Sequence, residues 1–161
     1  MENRESTFLT RTSLARLQER LQSLKPRLAK SVQEIRQTAA YGDLTENFEW
    51  EAAKHQRDLL KAEITRIEAL LSSYQLIEDL QIDGARVTIG TRVTLEDMES
   101  GEAVTYSILG SEDVDIPRNV ISHTSPIARQ LLLKTEGDAV KIRVPSGLRQ
   151  YEIVRIEKIF P

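Results

Sequence analysis

Two stretches of this chain carry apolar residues at three- and four-residue steps, and only the segment AAYGDLTEN lies between them. The first, from Ser13 to about Ala39, places Leu14, Leu17, Leu21, Leu24, Leu28, Val32 and Ile35 on one stripe; the second places Leu60, Ile64, Ile67, Leu71, Tyr74 and Ile77. That spacing is the period of a helix with one apolar face. Two such helices joined by a short break fold back as an antiparallel pair, each burying its stripe against the other. A helix of about 26 residues is roughly 39 Å long, so the expected product is a thin arm rather than a compact core. Pro26 predicts a kink or break, because an interior proline removes a backbone hydrogen bond and clashes with the preceding turn. Alanines at 39, 40, 52 and 53 let the helices approach closely near the reversal.

From Asp83 onward the pattern changes. ARVTIG, TRVTLED, AVTYSIL, AVKIRV and QYEIVRI alternate apolar with polar residues and are rich in β-branched types, so they read as strands. Turn residues separate them: Asp83-Gly84, Glu99-Ser100-Gly101, Glu136-Gly137-Asp138 and Pro145-Ser146-Gly147. SPIARQLLL predicts a short helix with Ser125 as N-cap and Pro126 at its first position. The expected class is α+β. An antiparallel coiled-coil arm with an acidic tip spans residues 1–80, and a twisted antiparallel sheet covered by one short helix spans 81–161.

Composition removes several function classes. With 40% apolar and 29% charged residues in 161, the chain is an ordinary folded protein. Its net charge of −3 does not suit a protein that grips bare nucleic acid by neutralising phosphates, so a protein partner is favoured. Cysteine is absent and His55 and His123 are far apart, which argues against thiolate or imidazole metal sites. No apolar run approaches the roughly 20 residues that span a bilayer, and MENRESTFLTRTS lacks the apolar stretch of a signal peptide. The expectation is a cytoplasmic protein with no membrane contact, monomeric because the arm buries its own stripe.

The reversal GDLTEN admits two explanations. Structurally, Gly42 can end the first helix, Asp43 can cap the second, and Glu46 can bond back to the cap. Both acids also lie near the positive end of the second helix. Functionally, Asp43 and Glu46 are joined at once by Glu49 and Glu51, more carboxylates than capping uses, and by Tyr41, Phe48 and the chain's sole tryptophan, Trp50. Aromatic residues beside paired acids at an arm end suggest a surface that meets something. Two carboxylates without other ligands suit magnesium, a hard ion often held by one or two carboxylates while phosphate or water fills its shell. They would complete a site that another macromolecule half supplies.

The segment AAYGDLTENFEWEAAKHQ resembles the hairpin tip of the bacterial Gre transcript-cleavage (transcription elongation) factors, matching at Gly42, Asp43, Leu44, Glu46, Asn47, Glu49, Ala52 and Ala53, with Trp50 in place of a tyrosine. ISHTSPIARQLLLKTEGD and VPSGLRQYEIVRIE resemble the family's C-terminal half, and the A-type branch is favoured. The resemblance implies a coiled-coil arm plus an FKBP-like domain that docks at the rim of the RNA polymerase secondary channel. The arm would reach the catalytic centre and stimulate cleavage of the extruded RNA 3′ end. By the same resemblance, Asp43 helps hold the polymerase's second magnesium and Glu46 positions or activates the attacking water. The polymerase owns the active site, and this chain is an accessory rather than an enzyme. Lys54, Arg36, Asn47 and Tyr41 would meet RNA or the channel, and Ser125, Pro126 and His123 would lie in the docking segment.

Plainer roles stand beside these. Lys54 is equally a solvated helix-face lysine, Ser125 and Pro126 are explained by capping, and His55 reads as a surface residue. Six bases between Leu14 and Arg36 (Arg16, Arg20, Lys25, Arg27, Lys30, Arg36) outnumber two acids, Glu19 and Glu34, which suits either RNA or water. The chain departs from the family at Ala39-Ala40-Tyr41, where basic residues usually precede the tip glycine. That departure keeps a second hypothesis in view, a channel binder that blocks without cleaving. A third, a prolyl isomerase or peptide-binding module built on the sheet, has few aromatics to line a proline pocket: Tyr106, Tyr151 and Phe160.

Overall fold

The computed structural model describes residues 7–39 and 48–161. The chain forms two compact units: Leu14–Ser73, and Tyr74–Pro161 together with the N-terminal residues up to Ser13. The sequence placed a boundary near residue 80; here the second unit begins earlier and takes in the N-terminus.

In the first unit, helix α1 (Arg11–Ala39) and helix α2 (Phe48–Ser72) run antiparallel as a hairpin. Leu17, Leu24 and Ser31 are buried at seven-residue intervals on α1, and Leu60, Ile64 and Ile67 are buried on α2. Seven-residue spacing keeps one seam facing the partner and winds the pair left-handed. Ser31, not the expected Val32, therefore takes an inward position. Beside it is a cavity of about 170 Å³ lined by Arg27, Lys30, Glu34, Ala53, Gln56 and Leu60. Arg20 grips Glu63 across the hairpin with two hydrogen bonds, Nε–Oε1 2.7 Å and Nη2–Oε2 3.1 Å. Its guanidinium holds the Glu63 carboxyl below the usual range.

Pro26 does not break α1, which continues as one helix through it. The proline and Gln22, whose carbonyl it leaves without an intrahelical donor, are both exposed, so the unpaired oxygen is not buried away from solvent. A second correction concerns Tyr74 and Ile77, which the stripe assigned to α2. The helix ends at Ser72, and Tyr74–Leu76 is a strand followed by a tight turn at Ile77–Asp79. Ile77 is fully buried, so its apolar side chain belongs to the second unit's interior instead.

The second unit opens with strand β1 (Thr7–Leu9), which pairs in parallel with β2 (Tyr74–Leu76). Its main sheet contains β3 (Thr91–Asp97), β4 (Ala103–Leu109), β5 (Val120–Ser122), β6 (Ala139–Val144) and β7 (Gly147–Lys158), in the order β5-β4-β3-β7-β6. All pairs are antiparallel except β4 with β5, so the sheet is mostly rather than wholly antiparallel. Helix α3 (Pro126–Leu131) covers it, burying Ala128 and Leu131 against a core that includes Val93, Leu95, Ile108, Ile142 and Ile153. Ile153 and Ile156 are both buried although three apart on one strand. The register shift between Thr94 and Leu95 resolves this: Thr94 faces Arg155 and Leu95 faces Ile153, leaving Val154 as the extra residue of a bulge.

ARVTIG, expected as a strand, is not one. Val87 is buried and exchanges backbone bonds with residues after α3, Val87 N to Lys134 O 2.9 Å and Leu133 N to Val87 O 2.8 Å. Gly90 then turns the chain with φ +86° where a Cβ would strike Ile82.

Two carboxylates staple this unit. Thr10 and Ser13 cap α1 reciprocally, Ser13 N donating to Thr10 Oγ1 at 3.0 Å and Thr10 N to Ser13 Oγ at 3.0 Å. Asp113 completes the cap, accepting from the Thr10 hydroxyl at 2.7 Å with its other oxygen 3.1 Å from Ser13 Oγ. Asp97, only 3% exposed, accepts from Arg149 Nη1 at 2.8 Å and from the amides of Glu99 and Ser100 at 2.8 and 3.1 Å. The guanidinium first, and then the amides, hold its carboxyl below the ordinary 3.8.

Both staples are testable. Asp113→Ala should cost about 1–2 kcal/mol, read as a lower urea midpoint at unchanged slope. Because the folded Asp97 pKa is depressed, its contribution is complete above the unfolded value near pH 4 and is lost as pH falls through the folded value. Asp97→Asn should therefore flatten the acid limb of the stability–pH curve and converge on the wild type at the acid end.

Candidate functional site

Asp43, Glu46, Asn47 and Tyr41 lie outside the described residues; what the structure gives is the two helix ends that flank them. Arg36 stands exposed in the last turn of α1, where a cation complements the negative end of the helix. Glu49 and Glu51 occupy the first turn of α2, near its positive end. Each helix end thus carries the charge its dipole favours, which accounts for two of the acids near the reversal by local electrostatics.

Lys54 sits neither free in water nor extended from the helix. Its Nζ lies 3.7 Å from the centroid of the Trp50 ring and 3.4 Å from Glu51 Oε1, and its side chain is 31% exposed. Positions four and three apart on a helix share one face, so the sequence EWEAAK encodes this contact locally. A cation over an indole face contributes about 0.5–1 kcal/mol at an exposed site. Its first partners are therefore Trp50 and Glu51. Phe48, by contrast, is 88% exposed at the start of α2. His55 is exposed on the same helix.

The second cluster lies in the sheet unit around β5 and α3. Ser125 caps α3, accepting from Ala128 N at 3.2 Å with Pro126 at the first turn, as its sequence requires. The loop before it is cross-braced: Ser122 Oγ lies 3.1 Å from Ser111 Oγ and 2.8 Å from Thr124 Oγ1, and Ser125 N donates to Ser122 O at 2.9 Å. His123 is held edge-on against Phe8 at 5.3 Å, and its amide donates to Leu109 O at 2.9 Å. Gly110 makes this approach possible, since a Cβ there would collide with the Phe8 carbonyl oxygen. Ser125, Pro126 and His123 are thereby brought together on one braced loop.

Beside that loop, Pro126, Ile127 and Gln130 of α3 face Lys141 and Arg143 of β6 and the exposed Leu148 across a cavity of about 310 Å³. Sequence reasoning missed this groove. The alternation in AVKIRV does put Lys141 and Arg143 on one strand face, but the packing of α3 beside them is not legible from it. A separate cavity of about 270 Å³ holds Asp97, Arg149 and Tyr151, whereas Tyr106 packs on the core, where burial pushes its hydroxyl pKa up. Only one of the three aromatics weighed for a proline pocket lines it.

A heptad hairpin in one unit and a mostly antiparallel sheet with one capped helix in the other define a two-part protein of the α+β class. The family described as transcription elongation factor GreA/GreB matches residues 82–158 through its C-terminal part, and its N-terminal part matches residues 7–76. Transcription elongation factor GreA of Anaeromyxobacter sp. strain K is 42% identical over 146 residues, covering 90% of this chain and 88% of that protein. GreA of Pseudomonas aeruginosa is 43% identical over 137 residues, covering 84% and 85%. The solved structure of the transcription factor Gfh1 aligns with 95% of this chain and 98% of its own at 25% identity and a TM-score of 0.46. The chain belongs to the GreA/GreB transcription elongation factor family.

Since Trp50 is the only tryptophan, its emission reports the flank directly. Lys54→Ala should shift that emission to longer wavelength and increase quenching by acrylamide, while helix content by circular dichroism stays the same.

Proposed function

We propose that this chain binds bacterial RNA polymerase through the secondary channel and stimulates endonucleolytic cleavage of backtracked RNA, rescuing arrested complexes. The observation that carries the reading is positional. In a chain of this family, the eight residues AYGDLTEN connect Ala39, the last of α1, to Phe48, the first of α2, so Asp43 and Glu46 fall in the connection of a long hairpin. The 25 residues of α2 correspond to roughly 37 Å of helix. A two-helix rod can enter a passage that a globular domain cannot.

Asp43 and Glu46 supply only oxygen donors, which fit magnesium and leave most of its shell to phosphate and water. The pair is thus suited to completing a polymerase site rather than forming one. In this role Asp43 would help hold the second ion shared with the polymerase, and Glu46 would position or activate the attacking water. When bound, that ion stabilises charge on the entering and leaving oxygens. The nascent RNA 3′ end is the substrate and the hydrolytic site is the polymerase's, so this chain acts as an accessory, as a monomer in the cytoplasm. The braced loop carrying His123, Ser125 and Pro126, with the adjoining groove, is the proposed docking surface on the polymerase.

The test is cleavage in a backtracked complex with matched bacterial polymerase and magnesium. Asp43→Ala or Glu46→Ala should lower stimulation by about 100-fold or more while polymerase binding persists and stability changes by about 1 kcal/mol. Binding by the wild type without any RNA shortening would instead establish the blocker, the reading that Ala39-Ala40-Tyr41 keeps open. Melting of the arm as the main effect of either substitution would return both acids to capping.

A further inference from the structure

Lys141 and Arg143 are cations that no carboxylate among the described residues balances. Residues 125–133 and 139–150, which take in α3 and the turn of the β6–β7 hairpin, contain Arg129, Lys141, Arg143 and Arg149 but no acid, in a chain whose net charge is −3. Asp97 engages Arg149. Lys141 and Arg143 stay exposed, with no ion pair among the described residues. Two apart on β6, they share one face of the strand, and the register sets Arg143 opposite Leu148.

Charged residues on an edge strand commonly deter pairing with another chain, and β6 is an edge that pairs with β7 alone. That role accounts for the two cations. It does not account for Leu148, which is 63% exposed, or for the cavity that Pro126, Ile127 and the buried Ile142 line together with them. A phosphate backbone would meet the cations and leave the apolar walls unused, and no aromatic ring lines the groove for a base to stack on. Cations beside a concave apolar surface suit a protein segment that carries both carboxylates and an apolar side chain.

Resting on the polymerase-binding reading above, we propose that this groove takes an acidic segment of the polymerase surface, seating one of its apolar side chains between Ile127 and Leu148 while its carboxylates pair with Lys141 and Arg143. The cations set the charge of the partner, and the apolar walls hold it once it has arrived.

The experiment measures affinity for matched bacterial RNA polymerase across a range of salt concentrations. The full chain is compared with Lys141→Glu/Arg143→Glu, with Leu148→Ser, and with Arg86→Glu, a charge reversal at an exposed base outside the groove. The paired reversal should weaken binding by about 10-fold or more at low salt and flatten its salt dependence. Leu148→Ser should weaken binding about 10-fold with the salt dependence kept. Arg86→Glu should bind as the wild type does, and thermal melting should not move. Should the paired reversal lower the melting temperature, Lys141→Gln/Arg143→Gln takes its place and should show a smaller loss of the same sign. Wild-type or tighter binding by the paired reversal overturns the proposal, and so does an equal loss in Arg86→Glu. Wild-type affinity in Leu148→Ser beside a loss in the paired reversal also overturns it and assigns the cations to RNA phosphate. In each of these cases a wild type that binds and cleaves leaves the cleavage reading standing. A wild type that does not bind the polymerase overturns that reading and this proposal together.

Discussion

The parallel pairing of Thr7–Leu9 with Tyr74–Leu76 closes the chain around the whole helical hairpin. Those strands precede α1 and follow α2, so the chain leaves the sheet unit and re-enters it at two paired strands. Leu9 and Ile77 are fully buried there, Gly110 admits the Phe8 backbone, and Asp113 completes the cap on the first turn of α1. Closing a long loop costs entropy that grows only slowly with length. The hairpin offsets that cost with its own seam, where each fully buried leucine or isoleucine contributes about 1.5–3 kcal/mol. A long excursion between two short strands is tolerable on these terms because the excursion is itself folded.

Carboxylates serve two distinct purposes in this protein, and donors distinguish them. Asp97 takes two backbone amides and a guanidinium, Asp113 takes the cap of α1, and Asp138 accepts the amide and hydroxyl of Thr135 at 2.8 and 3.2 Å. Each is saturated by fixed partners, which is what a structural acid requires. Asp97 and Asp138 are accordingly held below their ordinary pKa. Glu49 and Glu51 instead stay exposed in the weak field of a helix end, Glu51 with only a surface ion pair to Lys54 at 3.4 Å.

The sequence revealed elements with long or strong periodicity and hid those set by pairing. Both hairpin helices and the Ser125-capped α3 followed from local spacing and caps, as did four of the five expected strands. Three-residue strands such as β1, β2 and β5 carry no period to detect, and their parallel partners are distant in sequence. ARVTIG has the β-branched composition of a strand, yet Val87 finds its partners in the turn after α3. Tyr74 and Ile77 fit the α2 stripe by arithmetic, but burial in the other unit outweighs continuation of a helix past Ser72-Ser73. Val154 as a bulge and Ser31 as a seam residue are registers, and registers belong to pairs. At the candidate site, the residue types of the acidic segment and the capping of Ser125 were readable. The Lys54–Trp50 stack lies in the four-residue spacing of EWEAAK but was not drawn from it, and the groove beside α3 was not legible, because it depends on how separate elements pack.

The stack matters for how an acidic factor could approach RNA at all. With a net charge of −3 and Lys54 turned onto its own helix, phosphate neutralisation near the reversal falls chiefly to Arg36 among the described residues. With Glu49 and Glu51 in the first turn of α2 and Lys54 engaged by Trp50, this flank is poorly equipped to grip a phosphate backbone. The braced loop and its groove, with Lys141 and Arg143 beside Ile127 and Leu148, combine apolar area with charge and suit a protein surface. Under the proposed function, affinity would then rest on the sheet unit, and the connection between the helices could be acidic without weakening it.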